Sequence, residues 1–411
     1  MRTYLVIDLK TFYASVECVE RNLDPFKTDL VVADIKRNKG AICLAISPKM
    51  KERGIKNRCR IYEIPKDVKP IIAKPRMKKY IEYSARIYGI YLDYFSKEDI
   101  HVYSVDEAFI DITSYLKMYN KTPIELAKIV INDIKKRTGI TATCGIGTNM
   151  YLAKIALDII SKHTKTNIGY LDEELYKEKL WNHQPLIDFW HIGKGIQNRL
   201  YKHHIKTMKD ITNINPKILY KEFGVNASIL IDHAYGKEDT TIKDIKNYKP
   251  LNTSISNGQV LFRNYNYKEA RVVLIEMIDN ITLELVKRKL YTNSVSIFLL
   301  LSDDNHINFS VNVNSTNSYE KILEKVLYEY DYRVDVDNIR RINISYNNLD
   351  SNKFEQLDIF NASKEDETVL EETMNNIKNK YGKNSLLRCI SLDGNATMKI
   401  RNNYIGGHNA K

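Results

Sequence analysis

The sequence predicts an α+β chain of several domains, on three observations. Its 411 residues allow two to four domains at about 150 residues each, and each is long enough to bury its own core. Over the first 160 residues, short apolar and β-branched runs alternate with segments of helical periodicity. Beyond residue 250 the elements follow the order β-α-β-β-α-β, that of a compact α+β unit. With 43% apolar and 28% charged residues, the composition excludes a disordered chain. No run reaches the roughly 18 apolar residues of a membrane span, and Arg2, Asp8, Lys10 and Glu17 interrupt the start where a signal peptide needs an apolar stretch. A cytoplasmic protein with no membrane partner is expected, with its five scattered cysteines as reduced thiols.

In chain order, residues 3–9 form a buried strand ending at Asp8, and a helix follows from about Thr11. A strand pair is expected at 101–105 and 108–113, where Ala108, Ile110 and Ile112 alternate with Phe109 and Asp111, leaving Asp106 and Glu107 at the turn. A helix at 123–137 and a strand at 140–146 precede a helix at 149–160. That helix puts Leu152, Ile155, Ala156 and Ile159 on its apolar face and Tyr151, Lys154 and Asp158 on the other. Residues 170–235 are helical in pattern, broken at 191–196, and the polar stretch 236–250 reads as a linker. The second unit is a strand at 252–262, a helix at 267–289, strands at 292–301 and 306–313, a helix at 318–330 and a strand at 338–346. A capping signal at Ser363 and Asp366 then opens a helix with Leu370, Met374, Ile377 and Tyr381 at helical spacing.

The formal charge of +12 is not spread evenly. Between Lys36 and Arg86 there are 16 basic residues against four acids, a local balance equal to the whole excess. Such concentration suggests a wall for phosphates, because paired surface charges gain little whereas phosphates reward a positive groove. The chemistry opposite that wall comes from Asp8 at a strand end and the Asp106-Glu107 pair at a turn. If they meet across neighbouring strands, they can hold two divalent cations about 4 Å apart for in-line phosphoryl transfer. Hard oxygen ligands favour Mg²⁺. Alone, an acid pair in a turn is ordinary surface composition.

The surrounding residues are not ordinary. Asp8-Leu9-Lys10-Thr11-Phe12-Tyr13-Ala14-Ser15-Val16-Glu17, Ser104-Val105-Asp106-Glu107-Ala108-Phe109-Ile110-Asp111 and Gly145-Ile146-Gly147-Thr148-Asn149, running into Leu152-Ala153-Lys154-Ile155-Ala156, closely resemble the three palm motifs of Y-family translesion DNA polymerases, in order and spacing. The closest resemblance is to the UmuC-like, impB/mucB/samB group of Gram-positive bacteria associated with repair of UV damage, and it covers essentially the whole chain. It implies a right-hand polymerase: a ferredoxin-like palm (1–22 and 77–168), small fingers (23–76), a helix-hairpin-helix thumb (169–235), a linker (236–250), a β-α-β-β-α-β little finger (251–350) and a tail (351–411).

By that resemblance Asp8, Asp106 and Glu107 are the catalytic metal ligands, with the carbonyl of Leu9, for two Mg²⁺ ions that activate the primer 3′-hydroxyl and neutralise the leaving pyrophosphate. Tyr13 matches the steric gate against a ribose 2′-hydroxyl, and the amides of Phe12 and Tyr13 open a helix toward the triphosphate. Lys154 matches a triphosphate-binding lysine, a role compatible with an i,i+4 pair to Asp158. Ser47 and Lys51 are candidate phosphate contacts. The sequence departs from the commoner pattern with Pro48 for a tyrosine and Lys51 for an arginine, and a lysine cannot reproduce a bidentate guanidinium. Lys10 replaces an acid frequent in relatives.

Ile192-Gly193-Lys194-Gly195 resembles the thumb hairpin that approaches a DNA phosphate. Residues 244–350, which include the little finger, carry a net charge of −1, so Arg263, Lys268, Arg271, Lys287, Arg288, Lys289, Arg340 and Arg341 would have to share one face to grip duplex. Gln356-Leu357-Asp358-Ile359-Phe360 resembles the peptide that binds the replication sliding clamp, with Leu357, Ile359 and Phe360 for an apolar pocket and Gln356 at its rim. The expected function is low-fidelity, template-directed DNA synthesis from dNTPs on primer-template DNA in damage tolerance. The competing readings are another palm-fold two-metal phosphotransferase, which needs no thumb hairpin or clamp peptide, and an inactive DNA- and clamp-binding regulator, which has no need of intact carboxylates.

Overall fold

The structure, a computed structural model, describes residues 2–35, 40–251, 253–351 and 364–411. They form two units, Met1–Tyr248 with His408–Lys411, and Lys249–Gly407. In the first, strand β1 (Tyr4–Leu9) is buried except at Asp8. Thr11, in a left-handed conformation at φ 45°, turns the chain into α1 (Phe12–Val19). Next, β2 (Leu30–Val32), β3 (Ala45–Ile46), α2 (Pro48–Glu52) and β4 (Ile71–Ala73) build a small sheet ordered β3-β2-β4. It has its own core of Val31, Cys43, Ile46, Met50, Cys59 and Val68. All five cysteines are free.

After α3 (Met77–Leu92) come β5 (Ile100–Val102), β6 (Glu107–Asp111), α4 (Thr113–Tyr119), α5 (Pro123–Thr138), β7 (Ala142–Gly147), α6 (Met150–Ile155) and β8 (Ile168–Leu171). The five-stranded sheet runs β5-β6-β1-β7-β8, so the two strands carrying the acids are neighbours although about 100 residues apart. The glycines of β7 fix what lies above them. A Cβ at Gly145 would stand 2.1 Å from the Ala153 carbonyl, and one at Gly147 would stand 2.2 Å from the Ala153 amide, so only glycine lets α6 rest its backbone on the strand.

Helices α7 (Glu173–Leu180), α8 (Lys194–Lys202), α9 (Met208–Asn213), α10 (Pro216–Phe223) and α11 (Asn226–Ala234) enclose a core with Tyr151, Tyr176, Phe189, Leu200 and Leu219. Two expectations change here. Tyr151, assigned to the polar face of α6, is fully buried in that core, where its ring stacks on His233 with centroids 3.9 Å apart and its hydroxyl meets that of Tyr176 at 3.3 Å. The stretch read as a linker contains α12 (Ile242–Asn247), started by a capping box between Thr241 and Asp244. Ile242 packs against Tyr4, Val6, Phe109 and Leu157. Likewise the strand expected through Thr113 stops at Asp111, whose Oδ1 accepts from the Thr113 amide (2.9 Å) as α4 begins.

The second unit follows its expected order: β9 (Ser254–Tyr265), α13 (Tyr267–Arg288), β10 (Thr292–Leu301), β11 (His306–Thr316), α14 (Tyr319–Arg333) and β12 (Ile339–Asn347), with the antiparallel sheet ordered β11-β10-β12-β9. In β10, Val295, Ile297 and Leu299 enter the core under the helices, and the alternate residues face outward. A further helix, α15 (Lys364–Tyr381), buries Met374, but Leu370 and Tyr381 are exposed, so its helical spacing overstated its apolar face. The tail, whose role the sequence did not indicate, belongs to this unit as far as Gly407, and its last four residues belong to the first. Glu276 is buried, and its Oε2 accepts from the amides of Thr397 (2.7 Å) and Met398 (3.0 Å). The clamp-type peptide Gln356–Phe360 lies outside the described residues, as do Lys36, Arg37 and Lys39 of the basic segment.

Candidate active site

Pairing of β1 with β6 places Asp8 directly opposite Glu107, and the Leu9 amide donates to the Asp106 carbonyl at 2.9 Å. Asp8 and the adjacent pair Asp106-Glu107, about 100 residues further along the chain, thus share one sheet end. Asp106 is oriented by Ser104, whose Oγ donates to its Oδ1 at 2.7 Å. The Leu9 side chain is buried, which leaves its backbone as the part able to serve the site.

The acids interact electrostatically. Burial, and then the charges of Asp106 and Glu107, push the Asp8 carboxyl up to about 7, with Lys154 and Lys162 opposing. Burial also raises the Glu107 carboxyl, against the pull of Lys154. Lys154, itself buried on α6, lies 2.8 Å from Glu107 Oε1 and hydrogen-bonds Oε2 at 3.0 Å. It also pairs with Asp158 at 3.2 Å. The Oε1 contact is close but off the hydrogen-bonding direction, so that buried oxygen lacks a hydrogen-bond partner.

These features fit a hard cation. The donors are carboxylate oxygens, their mutual repulsion is what a cation would relieve, and one buried oxygen is unsatisfied. Among the described residues no three acidic, thiol or imidazole groups already converge on one point. Binding would therefore require the three side chains to turn toward each other.

On the sequence's other candidates the structure is specific. Phe12 is buried and Tyr13 half-exposed at the start of α1, where Thr11 gives no side-chain cap to the first-turn amides. Asp106 is among the charges acting on the Tyr13 hydroxyl, after burial, and Arg58 opposes it. Lys51, on α2, keeps part of its side chain exposed and part covered. Burial lowers it, with Lys162 and Lys10 adding repulsion and Asp8 opposing. Ser47 is corrected: it is wholly buried, its hydroxyl donates to the Thr28 carbonyl (2.7 Å) and accepts from the Leu30 amide (3.2 Å), so it ties the small sheet together and does not face a phosphate.

Sequence reasoning did not assign Lys162 to the site, and it noted Lys10 only as a lost acid. Lys10 acts on Asp8 and donates to Asn167 Oδ1 at 2.6 Å, while Lys162 pairs with Asp158 at 3.6 Å. The signal for Lys162 was its i+4 spacing from Asp158, itself four residues after Lys154.

In the hairpin, Ile192 buries its side chain, Gly193 caps α8, and a Cβ on Gly193 or Gly195 would meet nothing within 4 Å. The glycines leave open space, room that a close-approaching ligand backbone would use. In the second unit the basic residues do not form one free face. Arg263 is bidentate to Glu269 (2.8 and 2.7 Å) and Arg271 to Asp331 (2.8 and 3.0 Å), while Arg288 pairs with Glu284 (2.6 Å). Arg340, at a β-bulge of β12, donates to the Leu261 carbonyl (2.7 Å), and Arg341 donates to Asn343 Oδ1 (3.1 Å). The outer face of the sheet is lined instead by Ser256, Asn257, Ser296, Asn308, Ser310 and Asn343 with Arg341.

Comparison with known proteins gives the family and the fold. Residues 7–158 match the model of the impB/mucB/samB family, and residues 252–359 match that of the impB/mucB/samB family C-terminal domain. The UV-damage repair protein UvrX of Bacillus subtilis (strain 168) is 29% identical, over 99% of this chain and 97% of its own length. DNA polymerase IV 2 of the same organism is 29% identical over 99% and 98%, and DNA polymerase IV of Clostridium acetobutylicum is 26% identical over 94% and 97%. Among solved structures, a Y-family DNA polymerase chimera superposes with a TM-score of 0.65 at 22% identity, covering 85% of this chain and all of its own.

Proposed function

Since the chain belongs to the impB/mucB/samB family and shares the fold of Y-family DNA polymerases, we propose that it is a DNA-directed DNA polymerase that copies past damaged template bases by two-metal nucleotidyl transfer. The observation that carries this reading is the register pairing of Asp8 with Glu107 beside Asp106, with Lys10, Lys51, Lys154 and Lys162 acting on the same acids.

Asp8, Asp106, Glu107 and the Leu9 carbonyl would hold the cations, taken as two Mg²⁺ ions. When bound, they supply charge neutralisation on the phosphates and a more acidic primer hydroxyl. The chain's own residues do the rest. Lys154 exchanges Glu107 for triphosphate oxygens, since a cation would take over its charge balance at the carboxylate. Lys51 and Lys10 offer further positive charge to the incoming dNTP. Tyr13 closes the sugar pocket against a 2′-hydroxyl. The Ile192–Gly195 hairpin and the serine- and asparagine-lined sheet of the second unit contact the backbone of primer-template DNA. Because that sheet is nearly neutral, its share of the binding should depend only weakly on salt. The pairing of carboxylates with a C-terminal family domain favours this reading over a cyclase-like enzyme, and retention of all three acids favours it over an inactive regulator.

The test is primer extension with Mg²⁺ and dNTPs on undamaged and lesion-containing templates. Extension past the lesion is expected. Protein that is folded and binds DNA yet extends neither template would sink the proposal. The clamp reading has its own check: deleting Gln356–Phe360 should weaken binding to the replication sliding clamp while leaving clamp-free extension intact, and undiminished clamp affinity would reject it.

A further inference from the structure

Glu17 is the anomaly of α1, a carboxylate with no solvent exposure between Val16 and Cys18. It sits four residues after Tyr13, hence on the same side of the helix. Its Oε1 accepts from the Tyr80 hydroxyl (2.9 Å) and from Arg76 Nε (2.9 Å), and its Oε2 from Arg76 Nη2 (2.9 Å) and from Arg21. Burial alone would raise this carboxyl, but the hydrogen bonds of Arg76, Arg21 and Tyr80 outweigh it and hold it below the usual range. Glu17 is therefore a fixed anion, and Tyr80, also fully buried, is tethered to it by its hydroxyl. The Tyr80 ring in turn lies parallel to that of Tyr13, with centroids 4.4 Å apart and planes 16° from each other.

We propose that Tyr80, clamped by Glu17, is the backstop of the sugar gate: selection against a ribose 2′-hydroxyl is set by the stack Glu17, Tyr80 and Tyr13, not by Tyr13 alone. This rests on Tyr13 being the gate. Excluding a single oxygen requires a wall that does not yield by about 1 Å. A half-exposed tyrosine has free side-chain torsions and can retreat. Backed by a parallel ring whose far end is anchored to a buried anion, it has nowhere to go. Glu17 and Tyr80 are thus positioning residues. They touch no substrate, and their effect is carried by the angle and stiffness of Tyr13.

The experiment is single-nucleotide insertion of dCTP and CTP opposite template dG by the full chain with Mg²⁺, with kcat and KM measured for each. Tyr80→Leu removes the backing ring. The expected result is a fall in sugar discrimination of about tenfold, carried by a lower KM for CTP, with kcat for dCTP little changed. A purely structural role would depress both nucleotides together and leave the ratio alone. Tyr80→Phe cuts the tether and Glu17→Gln removes the negative charge that strengthens it, and both keep the ring, so each should give a smaller loss, and the double variant no more than Tyr80→Phe. If Tyr80→Leu folds poorly, these two carry the test by the same ratio. In a Tyr13→Ala background, Tyr80→Leu should change nothing further. The proposal is overturned if Tyr13→Ala collapses discrimination while the Tyr80 and Glu17 variants leave it at the wild-type value. If Tyr13→Ala itself leaves discrimination unchanged, the gate reading fails and takes the backstop with it.

Discussion

In metal-free buffer at pH 8, Asp8→Asn is expected to be more stable than the wild type by about 2–4 kcal/mol while losing primer extension, given an Asp8 carboxyl raised to about 7. The sign follows from proton linkage. A carboxyl whose folded value lies above its unfolded one prefers the proton when folded, so ionising it costs stability. That cost is absent below about pH 4, the ordinary aspartate value, grows as pH rises toward 7, and is constant above. The advantage of Asp8→Asn should follow the same course in urea unfolding with a chelator present. Adding Mg²⁺ should shrink it, because the cation stabilises only the protein that keeps the carboxylate. A variant no more stable than wild type at pH 8 would mean that Asp8 is not held against the charges of Asp106 and Glu107.

Arg388→Met should cost about 3–5 kcal/mol in the second unit, because it leaves two buried carboxylates without their cation. Arg388 Nε lies 2.6 Å from Asp279 and Nη2 lies 2.5 Å from Glu371, and its guanidinium stands 3.7 Å above the Tyr319 ring centroid. Asp279 and Glu371 are 2% and 4% exposed, so water cannot substitute for the lost charge. Lys378, 3.7 Å from Asp279, offsets part of it. Glu371 is already raised by burial with Arg388 present, and removing the arginine raises it further. The loss should therefore be larger at pH 8 than at pH 5, where protonation relieves the unpaired charge. Replacing Asp279 and Glu371 by Leu in the same variant should recover much of the stability. A loss below about 1 kcal/mol at both pH values would show that the ion cluster does not anchor the tail.

Much of this was legible in the sequence where a short-range pattern decides the outcome. The alternation of Val295, Ile297 and Leu299 fixed β10, and the run ahead of Asp8 fixed β1. The site acids could be read from motif order, since Asp8 at a strand end and Asp106-Glu107 at a turn meet once the strands pair. Other features depended on long-range packing that no local period encodes. Helix α12 shows only Ile242 and Ile245 among charges, so its burial against Phe109 is decided by the sheet it meets. Ser47 has the residue type of a phosphate contact, but a hydroxyl in a small core bonds the nearest backbone. Likewise the basic segment reads as one wall, whereas Arg76 answers Glu17 and Arg53 answers Asp29 at 3.0 Å. The stacking of Tyr80 depends on the ring of Tyr13, 67 positions away.

The central claim is that Asp8, Asp106 and Glu107 form one catalytic centre for templated synthesis. Its most direct test is the single-turnover rate of correct dNTP insertion on primer-template DNA with Mg²⁺, comparing wild type with Asp106→Asn at matched folding and DNA affinity. The expected result is insertion by the wild type that follows the template base and falls by at least about 10³-fold in the variant, since the lost carboxylate acts on charge that develops in the transition state. Equal rates for the two proteins, or incorporation indifferent to the template base, would contradict the account.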